Sequence, residues 1–61
     1  MNKILYSVNE VSEILNIKVS RIRAAVFRRE IEYVKIGALV RFRLEDIERF
    51  IKENVIYRVQ S

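Results

Sequence analysis

The spacing of apolar residues changes once along this chain, and the change restricts the folds that the sequence can adopt. In residues 8–28 apolar side chains recur every three or four positions, which is the period of helices with one buried face. In residues 33–43 they recur at every second position around Gly37, the only glycine, which is the period of a β-hairpin. The sequence therefore predicts helices followed by a short two-stranded hairpin.

The first helix has signals for both of its ends. Ser7 and Glu10 have the spacing of a capping box, in which each side chain accepts a hydrogen bond from the backbone N–H of the other residue. We therefore expect the helix to begin at Val8, and we expect Asn16 to close it in a left-handed conformation. The predicted buried face consists of Val8, Val11, Ile14 and Leu15.

The second helix is predicted over residues 19–28, because Ile22, Ala25 and Val26 fall on one face. Only about three residues separate it from the first helix, and this arrangement is a helix-turn-helix. In that motif the second helix enters the major groove of DNA. The face opposite the apolar one carries Ser20, Arg23, Ala24 and Phe27, flanked by Arg21 and Arg28.

These residue types suit contact with base pairs. A small residue such as Ala24 allows a helix to approach base edges closely, and neighbouring arginines can reach guanine O6 and N7 or a phosphate. Phe27 also fits a second interpretation, as a core side chain at the edge of the helix. The residues that we predict to contact DNA from this helix and its first turn are Lys18, Ser20, Arg21, Arg23, Ala24 and Arg28.

The hairpin is predicted with a three-residue loop over residues 37–39, which pairs Ile36 with Val40. This register gives one apolar face and one polar face, whereas a two-residue loop would mix them. It also places Lys35 opposite Arg41, and an external anion would relieve the repulsion between these like charges. The hairpin would then form a wing on the DNA backbone, with Lys35, Arg41 and Arg43 as the predicted phosphate contacts.

Basic residues are concentrated in the same part of the chain. Residues 18–43 contain eight of the twelve lysines and arginines but only two acids, Glu30 and Glu32. We expect these acids to pair with Arg28 and Arg29 or to shape the local field. Segregation of positive charge onto the second helix and the hairpin is the pattern of a nucleic-acid-binding module.

Composition argues against other classes of function. A chain of 61 residues has room for one domain with a small core, and the absence of cysteine and histidine removes the usual disulfides, zinc ligands and acid–base catalyst. We therefore expect no enzymatic activity, no metal and no cofactor. The apolar run near Met1 is too short for a signal peptide, and we expect a cytoplasmic protein.

A third helix is predicted from Leu44 or Glu45 to Lys52, with Glu45 and Asp46 near its positive end. Its predicted inward residues are Leu44, Ile47, Phe50 and Ile51. We expect a core over residues 5–53 and an apolar tail over residues 54–61. The β-rich part of this tail, residues 55–59, fits an extra strand, a self-association edge or a segment packed on the core.

Three segments together resemble the excisionase-type winged helix-turn-helix family. They are YSVNEVSEILNI at residues 6–17, VKIG at residues 34–37 and RFRLEDIERFI at residues 41–51, so that the resemblance covers about residues 5–52. The family is related to the DNA-binding domains of MerR-type regulators, and many members belong to phages, plasmids and integrative elements. The resemblance implies an α+β, mainly helical, winged helix-turn-helix fold whose second helix enters the major groove and whose Lys35 and Arg41 hold phosphate.

The sequence departs from that family at several places, one of which is Ile31-Glu32, where a proline is frequent. Lys18 stands where a Ser or Thr commonly caps the second helix, Arg29-Glu30 occupies a turn that often contains glycine, and Leu39 lies at the wing tip. We expect the leucine to pack into a groove, against a neighbouring copy or against the tail.

The function expected from these patterns is sequence-specific binding to double-stranded DNA. The protein would act as an excisionase-like recombination directionality factor or as a small transcriptional regulator of a mobile element. Its partners would be duplex DNA, adjacent copies of itself and a recombinase, with no membrane involved. The alternative is a protein–protein adaptor, such as an anti-repressor or assembly factor, on the same fold. Single-stranded nucleic acid is a third candidate.

Overall fold

The fold is a winged helix-turn-helix. A computed structural model describes residues 3–59, with helices α1 (Val8–Leu15), α2 (Val19–Phe27) and α3 (Leu44–Glu53) and strands β1 (Val34–Ile36) and β2 (Leu39–Arg41). The two strands form an antiparallel hairpin between α2 and α3. The predicted fold class is confirmed. We refer to residues 34–41 as the wing.

The start and end of α1 are as predicted. The backbone N–H of Ser7 donates to Glu10 Oε1 at 2.8 Å, and the backbone N–H of Glu10 donates to Ser7 Oγ at 3.1 Å, which completes the capping box. Asn16 adopts the left-handed conformation with φ 57°. The backbone N–H of Ile17 donates to the Ser12 carbonyl at 3.1 Å, so the chain turns sharply into α2.

Helix α2 starts at the predicted residue and ends one residue earlier than predicted. Lys18 is its N-cap without any side-chain cap, because an ammonium group has no acceptor for the first N–H groups. At the other end Arg29 is left-handed, with φ 60°, and the N–H of Glu30 donates to the Ala25 carbonyl at 2.8 Å. This turn directs Ile31 into the core, where it is 4% exposed.

The predicted hairpin register is wrong. The strands pair Val34 with Arg41, Lys35 with Val40, and Ile36 with Leu39, so the loop has two residues rather than three. Gly37 has φ +60° at the first central position, which is the requirement of a type II′ turn, and this turn matches the twist of a hairpin. Turn chemistry therefore outweighed the sorting of side chains into one apolar and one polar face.

The observed register changes which residues share a face. Residues directly opposite each other in a ladder point to the same side. Lys35 thus lies on the side of Val40, which packs against the core, while Arg41 lies on the other side with Ile36 and Leu39. Both of these apolar side chains are 54% exposed, so the outer face of the wing is partly apolar.

A short contact near the N-terminus anchors the hairpin to the helices. The backbones of Tyr6 and Phe42 exchange two hydrogen bonds of 2.8 Å each and form an isolated antiparallel bridge. Phe42 is fully buried, so the bridge holds the residue that connects the wing to the core.

One core joins the three helices and the hairpin. Its buried apolar members are Val11, Ile22, Ala25, Ile31, Phe42, Ile47 and Phe50. Ile14, Leu44 and Ile51 were predicted to face inward, but they are 52%, 51% and 45% exposed. They lie at the margins of their helical faces, which a domain with so small a core leaves uncovered. Residues 55–59 are exposed and belong to no helix or strand, whereas residues 60–61 of the predicted tail lie outside the described residues.

Candidate nucleic-acid interface

The exposed surface of α2 carries its predicted DNA contacts in three rows. At 100° per residue, Arg23 and Phe27 form one row, Ser20 and Ala24 the next, and Arg21 and Arg28 the third. All of these side chains except Ala24 are exposed, and Ala24 is half-buried. Lys18 is exposed at the helix start. The helix therefore presents a row of small side chains, which allows close approach, between two rows of longer side chains.

The first of these rows borders an open cleft of about 760 Å³ between α2 and the wing. We call it the α2–wing cleft. Arg23 and Phe27 contribute from α2, and Lys35 and Arg41 contribute from the two strands of the wing. The start of α1 closes the cleft with Ser7, Val8 and Asn9. The fold thus brings three of the nine predicted contacts, Arg23, Lys35 and Arg41, to one surface, while the other six do not line the cleft.

Positive charge in the α2–wing cleft is not neutralised locally. Four cations line it, namely Arg23, Arg29, Lys35 and Arg41, and none of its lining residues is acidic. Within residues 3–59 these four side chains make no ion pair. Several like charges around a concave surface concentrate a positive potential there, which attracts a polyanion.

Lys35 and Arg41 do not face each other across the strands. Lys35 is exposed beside Val40, while the Arg41 guanidinium folds back and donates from Nη1 to the Val40 carbonyl at 2.8 Å. The predicted repulsion between directly opposed charges is therefore absent. Both side chains still border the cleft, one from each side of the wing.

Comparison with protein families gives the decisive match. A family model described as a helix-turn-helix domain matches residues 5–55, which covers most of the chain. The chain belongs to the helix-turn-helix domain family. This is a DNA-binding family, so that DNA is the partner suggested for this member. Comparisons with curated proteins and with solved structures found no match.

In this helix-turn-helix domain, Arg43 lies after the end of β2 and outside the wing, to which it was predicted to belong. It is the N-cap of α3, and its guanidinium donates to both carboxylate oxygens of Asp46, from Nη2 at 2.6 Å and from Nε at 3.0 Å. Glu45 lies 3.4 Å from the same guanidinium. Arg43 lies outside the α2–wing cleft, and two carboxylates already compensate its charge.

The Arg43 pair also changes the acidity of Asp46. Hydrogen bonds from the Arg43 guanidinium hold the pKa of the Asp46 carboxyl below its usual value, while burial acts in the opposite direction. The guanidinium prevails because it donates two charge-assisted hydrogen bonds to the ionised carboxylate. The same pair raises the pKa of Arg43.

The two acids of the basic segment have other partners than those predicted. Glu30 lies 3.8 Å from Arg21, and Glu32 pairs with Arg49 of α3. Within residues 3–59 Arg28 and Arg29 therefore form no ion pair with these acids. Arg21 and Glu30 are both exposed, so their pair is weak and Arg21 can exchange it for a phosphate.

Among the cleft residues that were absent from the predicted contacts, Arg29 and Phe27 are the cation and the most exposed apolar side chain. Arg29 lines the cleft from the left-handed turn after α2, and the sequence signal for it was its place in a turn that commonly holds glycine. The sequence allowed either a surface or a core position for Phe27, and the structure places it on the surface, where it is 87% exposed.

Among the described residues, none of the helices combines the length and the apolar character that a membrane span requires.

Proposed function

We propose that this helix-turn-helix protein binds double-stranded DNA in a sequence-specific manner. Its role would be that of an excisionase-like recombination directionality factor or of a small transcriptional regulator of a mobile element. The observation that carries the proposal is the α2–wing cleft, where Arg23 of the second helix, Arg29 of the turn after it and two cations of the wing converge without an acidic residue. The activity is binding rather than catalysis.

The proposed contacts follow the rows of α2. Helix α2 lies in the major groove with the Ser20 and Ala24 row toward the base edges, because this row is the least bulky. Arg23 reaches bases from one side, and Arg21 reaches bases or phosphate from the other. Lys18 and Arg28, at the two ends of the helix, contact the backbone.

The wing contributes phosphate contacts in this arrangement. Lys35 and Arg41 lie on the opposite side of the cleft from α2, so that one DNA strand can run between the two elements. These contacts position the domain without reading sequence. Arg43 is left out of the proposed interface because Asp46 and Glu45 hold its guanidinium.

The narrower role within the family rests on the resemblance to excisionase-type and MerR-type proteins. A single module of this size buries only about 600–1,000 Å² of its own surface on DNA, so adjacent copies would bind cooperatively. Residues 55–59 supply an exposed apolar segment for contact between copies, with Ile56 and Val59 more than nine-tenths exposed. A recombinase is the protein partner expected for an excision factor.

The same segment favours a second candidate, a protein–protein adaptor such as an anti-repressor or assembly factor. Neighbouring apolar side chains as exposed as Ile56 and Tyr57 promote aggregation unless a partner covers them. Single-stranded nucleic acid has less support, because Phe42 and Phe50 are buried and Tyr6 and Tyr33 pack against the core. The two exposed aromatic side chains of residues 3–59, Phe27 and Tyr57, lie on separate parts of the chain, one in α2 and one after α3, rather than along one strand as a stacking platform.

Salt dependence separates these candidates. A labelled duplex pool of random sequence, and the corresponding single strands, would be titrated with protein by fluorescence anisotropy at several salt concentrations. A duplex binder loses affinity linearly in log salt, with a slope of about −0.9 for each neutralised phosphate. Preference for the duplex with a steep slope supports the proposal. No binding to either nucleic acid at low salt would reject it in favour of the adaptor.

A further inference from the structure

Phe27 is an unusual residue to find on the exposed surface of α2. It is the last residue of the helix and is 87% exposed, although the core has apolar positions on the opposite face of the same helix. A side chain this exposed contributes almost nothing to burial on folding. Its position is therefore explained better by a ligand than by the stability of the domain.

The neighbours of Phe27 indicate what kind of ligand this is. Arg23 lies four residues earlier and Ala24 three residues earlier, so both are its neighbours on the helix surface. The α2–wing cleft beside it is lined by four cations and by apolar residues that include Val26 and Leu39. A matching ligand carries negative charge at its edges and an apolar group between them.

A second copy of this domain does not have that chemistry at the same surface, because its own cleft is cationic and would be repelled. The major groove of DNA has it. Phosphates border the groove on both sides, and the C5-methyl group of thymine is the apolar group that base edges display there. Charge complementarity therefore favours duplex DNA as the occupant of the cleft.

We propose that Phe27 contacts a thymine methyl group in the major groove and thereby specifies an A·T pair at one position of the target. This inference rests on the proposed function, since it requires α2 to lie in the groove. Arg23 and Phe27 then read adjacent positions, one through hydrogen bonds and the other through apolar contact. Sequence specificity would come partly from a residue without a hydrogen-bonding group.

Deoxyuridine provides a direct test, because it lacks only the C5-methyl group and keeps the hydrogen bonds of thymine. A duplex selected for binding to the wild-type protein would be synthesised with each thymine replaced in turn. Burial of one methyl group corresponds to about 0.8 kcal/mol, or about a fourfold change in affinity. We expect this loss at one thymine for each bound copy.

The Phe27→Ala variant completes the test. It should bind the thymine duplex about as weakly as the wild type binds the sensitive deoxyuridine duplex, and it should not distinguish the two duplexes. Ile4→Ala is a matched control, because Ile4 is 84% exposed and lies outside the cleft. This variant should keep the wild-type sensitivity.

Two results would overturn the inference. One is a wild-type protein that is indifferent to deoxyuridine at every thymine of its selected site. The other is a Phe27→Ala variant that still loses affinity at the same thymine. In both cases the selected duplex is bound, so the proposed function stands. If no duplex is selected at all, the proposed function itself fails. Circular dichroism would verify that Phe27→Ala is folded, as expected for a change at an exposed position.

Discussion

Arg43 and Asp46 form a two-pronged ion pair at the point where the wing meets α3, with Nη2–Oδ1 and Nε–Oδ2 distances of 2.6 and 3.0 Å. The backbone N–H of Arg43 also donates to Asp46 Oδ2 at 3.0 Å. Since arginine has no acceptor, only the carboxylate half of a capping box forms here. The pair thus replaces a conventional N-cap and fixes the start of α3.

Replacing Asp46 should therefore destabilise the fold. Asp46→Asn keeps the size of a side chain that is 1% exposed but removes the charge that accepts three hydrogen bonds. We expect unfolding to become easier by about 1–3 kcal/mol, the usual range for lost hydrogen bonds to a buried charged group. In a domain of this size the melting temperature falls by about 4 °C or more for each kcal/mol. An unchanged melting temperature would show that the pair is dispensable.

The same pair predicts how stability depends on pH. Arg43 lowers the pKa of Asp46 in the folded state, so the contribution of the pair is complete above the ordinary aspartate value of 3.8. It is lost as pH falls through the lower folded-state pKa. Urea denaturation at a series of acidic pH values should show this loss, and Asp46→Asn should reduce it.

The stability of Asp46→Asn should still decrease in part at acidic pH, because a second carboxylate contributes, and this second contribution provides an internal control. The pKa of Glu10 is also lowered, first by its hydrogen bond with Lys3 and then by the backbone of Ser7. Glu10→Gln should remove this other part and leave the contribution of Asp46. Identical pH profiles for the wild type and Asp46→Asn would contradict the assignment.

The left-handed turn after α2 predicts a conflict between stability and binding. Arg29 has φ 60°, a conformation that costs a residue with a Cβ atom about 1–2 kcal/mol and that glycine adopts freely. Arg29→Gly should stabilise the fold by an amount of that order. It should also weaken binding to all duplexes, because one of the four cations of the cleft is lost.

Asn16→Gly is the matched control for this variant. Asn16 has nearly the same backbone conformation, with φ 57°, but does not line the cleft. DNA affinity should be unchanged in Asn16→Gly. If Arg29→Gly also keeps the wild-type affinity, Arg29 has no part in binding.

Local signals predicted much of the fold, and the misses have identifiable causes. Ser7, Glu10 and Asn16 act through neighbouring backbone groups, so their roles can be recognised within a few residues of sequence. The hairpin register was wrong because the conformation at Gly37 competed with the apolar pattern. Burial of Asp46 was missed because an acid in the first turn of a helix is normally solvated, whereas here Arg43, three residues earlier, holds the carboxylate with its guanidinium and its backbone N–H.

The candidate site was predictable in its elements rather than in its geometry. Segregated charge pointed to α2 and the wing, and both elements do border one cleft. Arg29 lines the cleft from a left-handed turn, and Arg43 lies outside the cleft in an ion pair with Asp46. Neither a left-handed turn nor an ion pair leaves a periodic signal in the sequence. The DNA contacts of Ser20, Arg21, Arg23 and the wing remain predictions.

In the proposed interface α2 reads the base sequence, whereas the wing contacts phosphate irrespective of sequence. Arg23→Ala should change sequence preference, with a loss of about 1–3 kcal/mol on the selected duplex and less on random duplexes. Lys35→Ala should weaken all duplexes alike and reduce the salt slope by about 1, because it contacts phosphate. Competition binding with selected and random duplexes measures both effects. Equal losses on the two duplexes for both variants would refute the division.

The exposed segment after α3 predicts contact between bound copies. Ile56 is 95% exposed, so Ile56→Ser should leave the stability of the domain unchanged. It should lower the cooperativity of binding to a duplex with two adjacent sites, without affecting a duplex with one site. Gel-shift titrations on the two duplexes provide the comparison. Unchanged cooperativity would remove this segment from the proposed assembly.

The central claim is that this domain recognises a particular DNA sequence, and selection from a randomised duplex pool tests it most directly. Protein-bound duplexes would be sequenced, and the affinity of the recovered site would be compared with that of a scrambled duplex at physiological salt. We predict one enriched motif, bound at least about a thousandfold more tightly than the scrambled duplex. Binding without an enriched motif, or equal affinity for the two duplexes, would contradict sequence-specific recognition.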